Sequence, residues 1–121
     1  MKKNYIKILV FAGIVFGIFI SAYFLMIKRT QEEVLSITTK ISEFRVGMRK
    51  EEVVAVLGQP KNSFRFESNN RKYIQLTFSS PGIVADMPEL IFDSDSLLVF
   101  VTYGERVSIG NRPKIDAVFP P

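Results

Sequence analysis

The side chains able to do chemistry are few, and a plainer role competes for each. The chain has no cysteine and no histidine among its 121 residues. Their absence removes Ser-His-Asp and Cys-His nucleophiles and every metal site built on imidazole or thiolate. Carboxylates, hydroxyls and amines remain. Asp93-Ser94-Asp95 has the alternation of a calcium loop. Such a loop needs glycine at its sixth position and glutamate at its twelfth. Here those positions are Leu98 and Gly104, so a hairpin turn fits better. Glu51-Glu52 could be the paired carboxylates of a glycosidase, but they adjoin Arg49 and Lys50, as on a solvated helix face. Ser79-Ser80 lies in a turn with no base to activate it. These patterns predict no catalytic residue, no metal and no cofactor; the chain is expected to bind rather than react.

What positions the side chains is set first by the run from Ile8 to Ile27, twenty residues without a charge. At about 1.5 Å of rise per residue it spans about 30 Å, the thickness of a bilayer's hydrocarbon core. A signal peptide's apolar stretch is shorter, about 7–15 residues, and ends in small residues. This run continues through Tyr23, Phe24, Leu25 and Met26, with only Ser21 and Ala22 as weak cleavage candidates. The expectation is a basic tail over 1–7 and an uncleaved transmembrane anchor over 8–27. No cysteine follows to accept a lipid. Lys2, Lys3 and Lys7 precede the span, and Lys28 and Arg29 follow it. Positive charge favours the cytoplasmic side. With so short an N-terminal tail, a single pass of the inner (cytoplasmic) membrane with a periplasmic or extracytoplasmic C-terminal domain is expected. Gly13, Gly17 and Ser21 recur every four residues. They form one helix face that would let a second helix approach closely, a candidate for self-association.

Of the 16 Lys and Arg, three precede the span, leaving 13 against 12 acidic residues. A near-neutral domain argues against nucleic acid, which selects a concentrated basic surface. Thr30-Gln31-Glu32-Glu33 reads as a capping box, with Val34, Ile37, Ile41 and Phe44 at helical spacing after it. It predicts a short helix from Gln31 to Glu43, with a continuous extension of the membrane helix as the rival. A second helix is expected from Arg49 to Leu57, its apolar stripe formed by Val53, Val56 and Leu57. Gly58 and Pro60 would end it. Beyond Pro60 the period becomes two. Four antiparallel strands are expected: Phe64 and Phe66, a turn at Asn69-Asn70, a return through Tyr73 to Phe78, then Leu90 to Phe92 and Leu97 to Tyr103. The fold class is therefore α+β, an N-terminal transmembrane helix followed by a two-layer helix-helix-four-stranded sheet over 30–104. Residues 105–121 are expected to be a loosely packed extension. One sheet face should lie under the helices. The other is expected to carry Arg65, Glu67, Gln75, Thr77 and Thr102.

The stretch Phe44-Arg45-Val46-Gly47-Met48-Arg49-Lys50-Glu51-Glu52-Val53, closing with Val56-Leu57-Gly58-Gln59-Pro60, resembles the signature of the SmpA/OmlA family. Its best-known member is the small lipoprotein of the outer-membrane β-barrel assembly machine. Tyr73 to Phe78, and Glu89 to Asp93 with Leu97 to Val99, resemble that family's strands, so the likeness covers residues 44 to 103. Gly47, Met48, Val53, Leu57, Gly58 and Pro60 carry it. All are structural positions, so the motif identifies a fold more than an activity. The arrangement is also similar to one half of the β-lactamase inhibitory protein. The resemblance implies a domain that binds other proteins. Two departures stand out. Arg49 replaces the usual Thr or Ser at the start of the second helix, and a transmembrane span replaces the lipid-bearing cysteine.

The expected binding surfaces are the open sheet face, through Gln75 and Thr77, and the loop from Pro81 to Pro88, through Ile83, Val84 and Met87. Apolar loop residues can anchor a partner, or fold back over the sheet as a lid. Three readings follow: a scaffold or assembly accessory of an envelope complex, an anchored inhibitor or immunity protein blocking a periplasmic enzyme or toxin, or a domain that only positions an active membrane helix.

Overall fold

The computed structural model of the chain describes residues 2–81 and 86–119. The first helix, α1, runs without a break from Lys2 to Ser42. The apolar run and the amphipathic stretch after it are therefore one rod, about 60 Å long. The rival reading of the sequence is the correct one, and no separate helix starts at Gln31. Thr30, read as a cap, is inside the helix and buried. Thr38 and Thr39 are poor helix formers, yet their hydroxyls donate to the carbonyls of Val34 and Leu35 one turn back. That back-bonding leaves the helical ladder intact.

The second helix, α2, spans Lys50–Leu57. Arg49 occupies its N-cap with an extended backbone and no side-chain hydrogen bond to the helix. Gly58 closes it at φ +85°, its amide donating to the Val54 carbonyl. Val53 is fully buried and Leu57 packs against the core, whereas Val56, expected in the same stripe, is exposed.

Six strands follow: β1 Asn62–Ser68, β2 Arg71–Thr77, β3 Glu89–Asp93, β4 Leu98–Tyr103, β5 Val107–Gly110 and β6 Ala117–Phe119. They form one antiparallel sheet in the order β5-β4-β3-β2-β1-β6. The four expected strands are its centre. The segment read as a loose extension supplies both edges, β5 on one side and β6 on the other. These strands are four and three residues long, too short for a period-two pattern to stand out.

The helices cover one face. Val34, Ile41, Phe44 and Val53 pack there with Leu76, Leu90, Phe92, Leu98, Val101 and Tyr103. The opposite face differs from the expectation. Asn69 and Asn70 both take positive φ in a two-residue turn, pairing Ser68 with Arg71. That register sets Phe66 opposite Tyr73 and Phe64 opposite Gln75. Directly opposed residues share a face, so the face away from the helices carries Phe64 and Phe66. Arg65 and Glu67 lie on the helix side, next to Ile74 and Lys72.

Candidate functional site

On the face away from the helices, Phe66, Ile91 and Phe100 are buried, with Phe64, Tyr73 and Val99 packed against them. The Phe66 ring stacks on Tyr73, with centroids 5.4 Å apart. The C-terminal segment supplies the cover. Because β5 and β6 stand at opposite edges, the chain between Gly110 and Ala117 must cross the sheet. Five strand spacings come to about 24 Å. The connecting residues reach about 23–25 Å when extended, which leaves little slack. This strap is fastened along its way. The Arg112 guanidinium lies 4.8 Å from the Phe100 ring centroid and donates to Glu89 at 3.1 Å. The Asp116 amide donates to the Glu67 carbonyl, and the Asp116 carboxylate accepts from the Asn69 amide at 2.8 Å.

Gln75 lies beneath this cover. It is on the expected face but only 7% exposed, and its Oε1 has no hydrogen-bond partner among the described residues. It offers almost no surface to a partner. Thr77, Met87 and Thr102 do come together, lining a shallow cavity of about 330 Å³ with Asp86, Glu89 and Gly104. Its lining mixes polar and apolar surface, and both its carboxylates are engaged, Asp86 by Arg106 at 3.4 Å and Glu89 by Arg112. Ile83 and Val84 lie outside the described residues.

The exposed apolar side chains of the sheet's rim lie elsewhere, on the strap and the strand that ends it. Val118 is 63% exposed, and Ile115 is exposed three residues before it. Val118 sits on β6 directly opposite Phe66. The outer edge of β6 pairs with no strand among the described residues. Sequence reading missed this site because three residues, Ala117 to Phe119, between prolines give no strand signal. The apolar pair Val118-Phe119 was the only trace of it.

The small residues of α1 are open. A methyl group at Gly13 or Gly17 would meet nothing within 4 Å, and Ser21 is exposed. No group of three or more ligating side chains that could hold a metal occurs among the described residues. Asp93 shows why its motif is a turn: Oδ1 accepts from the amides of Asp95 and Leu97, both at 3.0 Å, and Ser96 takes φ +61°. The motif residues have structural posts. Gly47, at φ +94°, donates to the Leu98 carbonyl, and the Met48 carbonyl accepts from Leu98. This pair of bonds fastens the approach to α2 to the start of β4. Compared with protein-family models, curated proteins and solved structures, the chain matches none.

Proposed function

We propose that this is a membrane-anchored, non-catalytic envelope protein whose small α+β domain binds other proteins, as scaffold or assembly accessory of an envelope complex. The β6 edge carries the reading. It presents backbone groups that pair with no strand among the described residues, beside exposed Val118 and Ile115. Backbone hydrogen bonding along a sheet edge, with apolar side chains alongside, is a general way to capture an extended segment of a partner. Most proteins blunt such an edge with charge, proline or a bulge. Here β6 itself bears no charged residue, although it is short and flanked by Asp116 and Pro120.

Two further observations support the reading. One helix is long and apolar enough to cross a membrane, and no residue of its apolar window is buried. The resemblance of residues 44 to 103 to the SmpA/OmlA family points to protein binding. In this reading α1 spans the inner membrane once, and the domain stands on the periplasmic side.

The test is purification of the full-length protein, mildly solubilised from its native membrane, with mass spectrometry of what accompanies it. Several envelope-assembly components, lost from a Val118→Lys variant that still folds, are the expected outcome. A single stoichiometric hydrolase or toxin would replace the scaffold by an inhibitor. Hydrolysis of an envelope substrate by the purified protein would overturn both.

A further inference from the structure

The uninterrupted helix fixes where the domain stands relative to the bilayer. Ile27 ends the apolar run, and Thr30 lies three residues later, about 4.5 Å further along the axis. The headgroup layer on each side of the hydrocarbon core is about 5–8 Å thick. Thr30 is therefore at headgroup depth. Yet Thr30 is only 8% exposed, so domain atoms cover one side of the helix at that same level, while Arg29, Gln31, Glu32 and Glu33 stay exposed. Arg106, on the β4–β5 turn, lines one cleft with Thr30, Gln31, Val34, Leu35 and Thr38, which runs about 12 Å along the helix. Arg106 reaches Asp86, and Asp86 lies against Gly104. The opposite end of the domain is far away. There Gly47 and Lys50 donate to Leu98 and Ser96, and Met48 lines a cleft with Lys40 and Glu43 at the last turn of α1. Ser42 is about 22 Å along the axis from Ile27.

We propose that the domain is seated directly on the phospholipid headgroups, with the β4–β5 turn and the end of the β2–β3 connection at Asp86 against the membrane. The inference rests on the reading of α1 as a membrane span. No linker separates span from domain, so the seating follows from the helix rather than from affinity of the rim. Lys28 and Arg29 lie at the level of the lipid phosphates, and Arg106 on the rim beyond them adds to the matching charge. Asp86 and Glu105 share the rim, which limits its net attraction. The face that carries Val118 then stands upright from the bilayer, and a partner must itself lie close to the membrane.

The chain has no cysteine, so single-cysteine variants report one site each. The experiment places an environment-sensitive fluorophore on Glu105→Cys, Ser94→Cys and Phe16→Cys, all exposed positions. Each full-length variant is reconstituted in phosphatidylcholine–phosphatidylglycerol vesicles carrying nitroxide on a fraction of headgroups or on acyl chains. The expected result is headgroup quenching several-fold stronger at Glu105→Cys than at Ser94→Cys, with Phe16→Cys quenched from the acyl chains. Equal, weak headgroup quenching at Glu105→Cys and Ser94→Cys, with Phe16→Cys still quenched, would show a spanning helix with a domain that stands off, and would overturn the proposal. Loss of acyl-chain quenching at Phe16→Cys would overturn the membrane anchor, and the seating with it.

Discussion

At Gly58 the backbone takes φ +85° and ψ −161°, a region closed to residues that carry a Cβ. Nothing lies within 4 Å of the position a methyl would take, so strain is the whole cost of substitution. Gly58→Ala should therefore lose about 1–3 kcal/mol in a urea titration of the detergent-solubilised chain. Arg49 presents the reverse case. Its backbone already has N-cap geometry but its side chain caps nothing. With Glu52 three residues on, Arg49→Ser completes a capping box and should gain about 1 kcal/mol in the same titration. The buried Gln75 Oε1 lacks a partner among the described residues, so Gln75→Met, of similar shape, should gain about 1 kcal/mol or more. A loss there would show that the oxygen has a partner after all. The glycine and the missing cap were legible in the sequence, because each is a local rule broken or kept by one residue. The burial of Gln75 was not, because it depends on the neighbours that strand pairing brings to that face, Phe64 and Ile91 among them.

Elements explain the larger differences. Register was within reach of the sequence: two asparagines at positive φ make a two-residue turn, and counting outward from Ser68–Arg71 brings Phe66 onto the face of Tyr73. A solvent-facing aromatic row would then have demanded a cover. The strap between β5 and β6 is that cover, and nothing in its local pattern announces it. Its role can be measured. Ending the chain after Gly110 should expose Phe66, Ile91 and Phe100, each worth about 1.5–3 kcal/mol when buried. A fall of at least 3 kcal/mol with binding of a hydrophobic dye is expected. Arg112→Ala should cost only about 0.5–1 kcal/mol, because its ion pair with Glu89 is partly exposed and its contact with Phe100 is a single one. The first helix teaches a related lesson. The local capping signal at Thr30 lost to continuity, since an apolar span already in helical form extends at low cost once its first turns exist.

Taken as a whole, the molecule is a rod with a sheet fastened along one end of it. The helix layer buries its apolar residues against one sheet face and the strap closes the other. The β6 edge, with Val118 and Ile115 in solvent, is left as the apolar margin of the sheet. The fold class was legible because helical and strand periods change cleanly at Pro60. The open β6 edge was not, since it arises from where the segment after β5 lands. The most direct test introduces a photo-crosslinking residue at Val118 of the full-length protein in its native cells, with Glu51, exposed on α2, as the comparison. A defined adduct to a second protein at Val118, absent at Glu51, is the predicted result. No adduct at Val118, or the same adducts at both positions, would contradict capture at the β6 edge.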